Sequence, residues 1–146
     1  KIYYLPVSVF SQWCAVCCKC ISTFKGFCCF TPGSSVFHLI DLFKTYEDSK
    51  MYCREMYTDL ATIHDWADVN DMVTAVSDWA GRAWIGLEIG EVWKWHWSWP
   101  STQLVFSNWR AGEPLVNNQD ACGAMDENGK WFESDCKNKR GFVCQG

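Results

Sequence analysis

The hydrophobic positions in the middle of the chain recur with the period of an α-helix. Those at i, i+3, i+4 and i+7 are Val69, Met72, Val73 and Val76. This spacing places them on one face of an amphipathic helix, and Asp65 is suited to cap its start. An earlier helix is predicted to begin after Thr45, whose hydroxyl suits an N-cap, and to run to about Tyr57. Two helices are therefore expected before the main sheet.

After Gly81 the hydrophobic pattern becomes that of extended chain. Residues 83–87 form an apolar run and predict a strand. Tryptophan then occupies every second position, at Trp93, Trp95, Trp97 and Trp99. A period of two predicts an extended segment with its indoles on one face. Some of these side chains are expected to pack in the core, and an exposed pair would form a binding platform.

The last third of the chain has the pattern of a hairpin followed by one more strand. The pair Asn128 and Gly129 marks a tight turn between residues 121–126 and 130–132, and residues 142–144 supply a final strand. Helices followed by short antiparallel strands predict an α+β domain. The long loop region between residues 87 and 122 is free to carry a site.

The composition is that of an extracellular globular domain. With 146 residues the chain is long enough for one domain with a hydrophobic core. Ten cysteines indicate an oxidising setting, either secreted or at a cell surface. A net charge of −4 argues against a nucleic-acid partner. The three histidines have no metal-binding spacing and no nucleophile motif is present, so no enzyme is predicted.

The first 36 residues are predicted to stand apart from a folded domain at residues 37–146. They are apolar and contain six of the ten cysteines. Their longest uncharged stretch is marginal for a membrane span. The open alternatives are a signal-peptide remnant, a membrane anchor and a segment of non-native translation.

A series of short motifs runs through residues 37–146. They are carried by Trp84, Ile85, Gly86, Leu87, Asn108, Trp109, Glu113, Pro114 and Trp131, together with Cys53, Cys122, Cys136 and Cys144. In their order these motifs resemble those of the C-type lectin-like domain family, and the resemblance implies the C-type lectin-like fold. The resemblance also implies two disulfides, Cys53–Cys144 and Cys122–Cys136. The first would tie the first helix to the last strand, and the second would pin the hairpin.

The resemblance also implies which residues could bind calcium. In sugar-binding members of the family, carboxylate and amide oxygens hold the ion, because a hard cation takes roughly six to eight oxygen ligands. Three candidate calcium ligands are kept, which are Glu113, Asp120 and Glu133. Two amide positions of the pattern hold Leu115 and Phe132, which have no side-chain oxygen. The resemblance thus implies a degenerate site, with no cofactor required and calcium binding at most weak.

The leading hypothesis is a non-catalytic extracellular recognition domain that binds a carbohydrate or a protein ligand without calcium. Its candidate ligand-binding residues are Glu113, Leu115, Asp120, Phe132, Glu133, Trp97 and Trp99. Apolar anchors within a polar rim are typical of protein interfaces. Aromatic side chains can also stack on the faces of sugars.

Two alternatives use the same scaffold differently. The first is a calcium-dependent, carbohydrate-binding lectin with a weak site, in which a loop shift brings Asn117 or Asn118 to the place left by Leu115. The second is an ice-binding or structural role, which the resemblance allows because some fish antifreeze proteins have this fold. Calcium dependence of binding separates the first alternative from the leading hypothesis.

Overall fold

The computed structural model describes residues 35–90, 93–115 and 120–146. Within these ranges the chain forms two helices, α1 (Tyr46–Met56) and α2 (Trp66–Ala75). The strands are, in chain order, β1 (Phe37–Lys44), β2 (Asp59–Leu60), β3 (Ala83–Ile89), β4 (Trp95–Trp97), β5 (Ala121–Met125), β6 (Trp131–Asp135) and β7 (Arg140–Gln145). The predicted α+β class is confirmed. The prediction for the Cys-rich N-terminal segment falls almost wholly on residues 1–34, which lie outside the described ranges.

Both helices begin at the predicted caps. The Thr45 hydroxyl accepts the amide of Asp48 at 3.3 Å. The Asp65 carboxylate accepts the amides of Ala67 and Asp68 at 2.8 and 3.1 Å. These bonds satisfy backbone donors that a helix leaves unpaired in its first turn. Neither helix in the described ranges combines the length and the apolar character that crossing a membrane takes.

The sheet is mixed, whereas the sequence predicted antiparallel strands alone. Its strand order is β1-β7-β3-β5-β6, with β2 paired to β7 and β4 paired to β3. Strands β3 and β7 are parallel, and the other pairs are antiparallel. Strand β1 was not predicted. It pairs with β7 from Phe37 opposite Gln145 to Ile40 opposite Phe142, and an irregularity follows before Lys44.

The two faces of the sheet carry separate cores, because successive strand residues point to opposite sides. One core contains Trp131, Ile85 and residues of α2, with side chains of the segment after β4 packed against it. The other contains Phe132, Trp84 and residues of α1. Neighbouring residues of one strand therefore belong to different cores.

Both predicted disulfides are present. Cys53–Cys144 joins α1 to β7 across 91 positions of sequence. Cys122–Cys136 joins β5 to the residue that follows β6 across 14 positions. These bridges tie the helical half of the domain to its last strand and hold the two ends of the hairpin together.

The tryptophan-rich segment is extended over a shorter stretch than predicted. Strand β4 spans only three residues, and Trp93 lies before it with a φ of 58°. The amide of Trp93 donates to the Gly90 carbonyl at 3.0 Å, so Trp93 belongs to the turn between β3 and β4. Trp95 and Trp97 are buried, whereas Trp93 and Trp99 are exposed. The expected division of the indoles between core and surface is confirmed.

Candidate ligand-binding site

Residues 98–120, called the long loop below, connect β4 to β5 and are anchored on the edge strand β6. Asn108 and Arg110 flank Trp131: the Asn108 carbonyl accepts the Trp131 amide at 2.9 Å, and the Arg110 amide donates to the Trp131 carbonyl at 2.8 Å. The Asn108 side chain is buried, and its Nδ2 donates to the Gly129 carbonyl at 2.9 Å. Its Oδ1 accepts from Lys130 Nζ at 2.7 Å. These bonds fix the middle of the loop.

A second anchor joins the long loop to the turn between β5 and β6. The Asp126 carboxylate binds the Arg110 guanidinium and accepts the amides of Asn128 and Lys130. Asp126 is buried, and Gly129 supplies the positive φ of 75° that the turn requires. The sequence predicted the turn from Asn128 and Gly129 but missed the roles of Asp126 and Arg110. The available signal for the turn was Asp126 itself, two residues before the Asn-Gly pair, because an Asp side chain accepts bonds from nearby backbone amides.

Indoles packed edge to face form the floor of the long loop. Trp109 lies 4.9 Å from Trp95 and 5.7 Å from Trp131, measured between ring centroids, and Trp97 lies 5.4 Å from Trp131. Only 3% of the Trp97 surface is exposed. Trp97 therefore packs in the core, where its ring cannot meet a ligand, and this corrects its place among the candidate binding residues.

Trp99 follows β4 and is 45% exposed. The buried hydroxyl of Thr62 donates to the Trp99 carbonyl at 2.6 Å, which fixes the backbone at this position. An exposed indole on a fixed backbone offers a flat apolar face and one N–H donor. Of the two indoles predicted to contact a ligand, Trp99 is the one that reaches the surface.

Glu113 and Glu133 lie together at the edge of β6. The Glu113 Oε2 accepts the backbone amide of Glu133 at 3.3 Å, and the Glu113 amide donates to the Arg110 carbonyl at 3.1 Å. Two residues further on, Leu115 is 60% exposed. The loop thus places one carboxylate and one apolar side chain near the outer edge of the sheet.

Asp120 lines an open pocket of about 370 Å³ between the start of α1, the end of β3 and the Cys122–Cys136 bridge. Its carbonyl accepts the Cys136 amide at 3.2 Å. Other polar residues around this pocket include Glu88, Asp135 and Lys137. Asp120 therefore shares its surroundings with acidic and basic side chains that the sequence did not connect with it.

Phe132 does not face the side of the sheet on which Glu133 lies. It is 5% exposed and packs in the core that faces α1. Three guanidinium groups cover its ring. The sequence predicted an apolar surface contact at this position, which is wrong because strand alternation turns Phe132 towards the opposite side of the sheet from Glu133.

In the described ranges, side-chain oxygens fill the calcium positions of the family pattern only in part. No group of three or more His, Cys, Asp or Glu residues there is arranged to hold a metal ion. Glu113 is engaged by a backbone amide, Leu115 has no oxygen, and Phe132 is buried. A calcium ion needs roughly six to eight oxygen ligands. Asn117 and Asn118, the proposed replacements, lie outside the described residues.

Two helices, a mixed sheet, two disulfides at these positions and a long loop anchored on an edge strand define a C-type lectin-like domain. A family model described as "Lectin C-type domain" matches residues 43–146, and the chain belongs to this family. The resemblance seen in the sequence is confirmed.

Individual proteins agree with this assignment. A C-type lectin mannose-binding isoform from Oxyuranus scutellatus is 35% identical over 112 residues, which are 70% of this chain and 70% of that protein. L-selectin from Mus musculus is 25% identical over 139 residues, which are 90% of this chain but only 36% of that protein.

Solved structures share the fold. The cow C-type carbohydrate-recognition domain of CD23, determined in the presence of a GlcNAc2Man3 oligosaccharide, has a TM-score of 0.68 at 23% identity, over 82% of this chain and 97% of that one. Herring type II antifreeze protein has a TM-score of 0.69 at 21% identity, over 87% of this chain and 98% of that one. At these identities the likeness shows the fold alone.

Proposed function

We propose that this chain is a non-catalytic extracellular recognition domain that binds a glycan through its long loop without calcium. Membership of the C-type lectin family and the similarity to a mannose-binding isoform support carbohydrate recognition. C-type lectin domains are generally non-enzymatic. Two disulfides in the described residues support an extracellular setting, because disulfides persist in oxidising compartments.

Three residues, two in the long loop and one on β6, carry the proposal that binding does not depend on calcium. The Glu113 carboxylate binds the Glu133 amide, Leu115 stands exposed where the family pattern has an amide, and Phe132 is buried. A sugar held through calcium shares its ligands with the ion. With two amides of the pattern replaced by Leu115 and Phe132, we assign the affinity to direct contacts between side chains and the glycan.

Among the exposed aromatic side chains of the described residues, Trp99 is the one that belongs to the long loop. Its exposed ring can stack on the apolar face of a pyranose, and Glu113 and Glu133 offer carboxylate acceptors for sugar hydroxyls. Stacking and carboxylate hydrogen bonds require no metal. We therefore assign Trp99, Glu113, Glu133 and Leu115 to glycan contact.

The test compares glycan binding and thermal stability of the full, oxidised chain in millimolar calcium and in excess chelator. A panel of mannose-containing oligosaccharides is the probe. We expect equal binding in both buffers and the same thermal midpoint, since a metal that binds only the folded state would raise it. Trp99→Ala should lose at least about tenfold in glycan affinity, as an alanine substitution at a stacking contact does.

Phe43→Ala is the matched control for this variant. Phe43 is also an exposed aromatic residue, but it lies on β1, at the opposite edge of the sheet from β6. It should bind glycan as the wild type does. A calcium-dependent rise of several degrees, with binding lost in chelator, would overturn the proposal in favour of a calcium-dependent lectin.

A protein ligand is the second candidate, favoured by the exposure of Leu115 beside carboxylates. An apolar anchor within a polar rim is how protein interfaces concentrate their energy. Ice binding is the third, and only the shared fold of the herring antifreeze protein supports it. Absence of glycan binding in both buffers would favour the protein ligand, and thermal hysteresis of the solution would favour ice binding.

A further inference from the structure

Three arginine side chains converge on the ring of Phe132. The Cζ atom of Arg110 lies 4.3 Å from the ring centroid, that of Arg82 5.3 Å and that of Arg140 5.4 Å. Arg82 immediately precedes β3, Arg110 lies in the long loop and Arg140 begins β7. Segments that are distant in sequence thus bring three positive charges to one place.

This arginine cluster has little negative charge to balance it. Arg110 pairs with Asp126. Among the described residues, neither Arg82 nor Arg140 forms an ion pair with a carboxylate. Burial lowers the pKa of Arg140, and the charges of Arg82 and Arg110 lower it further. In a chain whose net charge is −4, a local excess of positive charge is unexpected.

One donor in the cluster also lacks an acceptor. The Arg140 Nε is buried and has no hydrogen-bond partner in the described part of the chain. Its Nη2 donates to the Ser134 hydroxyl at 2.7 Å. That hydroxyl also accepts from Asn138 Nδ2 at 3.2 Å and keeps its own O–H to donate. A buried unpaired donor is uncommon in folded proteins and calls for an explanation.

Stacking on aromatic rings explains only part of this arrangement. Arg140 also lies 5.3 Å from the Trp84 ring, and such contacts attract a cation to the face of a ring. They leave the N–H groups at the edges of the guanidinium planes without acceptors. Arg82 is exposed, and its side chain has no hydrogen bond with a described residue. Its N–H donors are accessible to a ligand from solvent.

We propose that Arg82, Arg110 and Arg140 form a binding site for an oxoanion, which we assign to a sulfate ester of an acidic glycan. The guanidinium fork matches the spacing of sulfate and phosphate oxygens, and charge-assisted bonds to it are the strong ones. Phe132 is the floor on which the cations lie. The site is on the opposite face of β6 from Glu133 and does not depend on the glycan contact proposed there, so each can fail alone.

The experiment uses the full, oxidised chain in chelator and a heparin-derived hexasaccharide, with its chemically desulfated form beside it. Affinity is measured by calorimetry at two salt concentrations. We expect the sulfated probe to bind at least about tenfold more tightly, with a loss at high salt, since exposed charge interactions are screened. Arg82→Gln should weaken it about tenfold, which is the worth of one charged hydrogen bond.

The matched control is Lys94→Gln. Lys94 is an exposed cation on the turn between β3 and β4, at the other end of β3 from Arg82. Both variants remove one positive charge, so a difference between them reports position and not net charge. Lys94→Gln should stay within about twofold of the wild type if bulk charge contributes little. Arg82→Lys keeps the charge but not the fork and should fall between Arg82→Gln and the wild type.

The outcomes separate the sources of the anion. Equal affinity for the sulfated and desulfated probes, or an Arg82→Gln variant that binds as the wild type does, overturns the site. Inorganic sulfate that competes as well as the hexasaccharide at equal sulfate concentration overturns the glycan assignment in favour of a free anion. Thermal midpoints of all variants are recorded. Should Arg82→Gln fail to fold, Arg82→Lys decides the question.

Discussion

Two nitrogens of Arg110 contact the same oxygen of Asp126. Nε donates to Oδ2 at 2.8 Å, and Nη2 lies 2.7 Å from that atom. The other oxygen, Oδ1, accepts the amides of Asn128 and Lys130 at 2.9 and 3.0 Å. One buried carboxylate therefore binds the long loop through one oxygen and the turn between β5 and β6 through the other.

Asp126→Asn is expected to destabilise the protein by about 2 to 4 kcal/mol. The substitution removes the charge, and its amide nitrogen must replace one of the two accepting oxygens, so either Arg110 or the turn loses its partner. Denaturant unfolding measures the change. Asp71→Asn, at an exposed position of α2, is the control and should change stability by less than about 0.5 kcal/mol. Equal effects of the two substitutions would show that Asp126 is not an anchor.

Trp97 and Trp99 should respond differently to substitution by alanine. Trp97 is a core residue, and its loss should cost about 3 to 5 kcal/mol of stability. Trp99 is exposed, so its loss should cost less than about 1 kcal/mol and instead reduce glycan binding. Thermal unfolding and a binding titration on both variants check this. A Trp99→Ala variant that unfolds as easily as Trp97→Ala would contradict the assignment.

Alkaline pH is expected to destabilise the fold through Tyr46 and Lys50. Burial, and then the charges of Glu88 and Asp59, raise the pKa of Tyr46 well above its usual value. Burial acts to lower the pKa of Lys50, but its bonds and charge interactions with Glu47 and Glu88 outweigh this and raise it. Both groups keep their protons in the folded protein at a pH where the unfolded chain releases them.

The stabilising contribution of these two groups is therefore complete below about pH 10 and falls as the pH rises above it. The thermal midpoint, followed from pH 7 to 12, should decline in that range. Tyr46→Phe removes the buried hydroxyl that titrates and should decline less steeply. An identical slope for this variant would exclude Tyr46 as a source of the effect.

Removal of each disulfide should lower the free energy of unfolding by a different amount. Replacing Cys122 and Cys136 by serine opens a loop of 14 positions, and replacing Cys53 and Cys144 opens one of 91. Loop-closure entropy predicts losses of about 3 and 4 to 5 kcal/mol. Denaturant midpoints of the two double variants test the order. The reverse order would mean that strain or residual structure outweighs chain entropy.

The sequence predicted the elements whose signals are local. The caps at Thr45 and Asp65 and the turn at Asn128 and Gly129 each depend on a few adjacent residues, and all are present in the structure. Strand β1 was missed because three of its eight residues are exposed and its partner, β7, lies about a hundred positions away. Pairing at that separation is decided by tertiary structure, not by local pattern.

The site was harder to predict because burial depends on which core a strand residue faces. Trp97 was correctly placed on an extended segment, but its burial follows from contact with Trp131. Phe132 fills a position where the family pattern has a polar ligand, and only the packing of Trp84 and α1 shows that this side is a core. The convergence of the arginines likewise has no signal in any one segment.

For protein engineering, the anchoring of the long loop divides its positions into two kinds. Asn108 and Arg110 hold the backbone to β6 and must be kept constant. Ala111 and Leu115 follow closely and are exposed, so their side chains can be exchanged without opening a core. A library randomised at those two positions would vary the choice of ligand on an unchanged framework. Its members should keep nearly the stability of the wild type, so selection could act on binding alone.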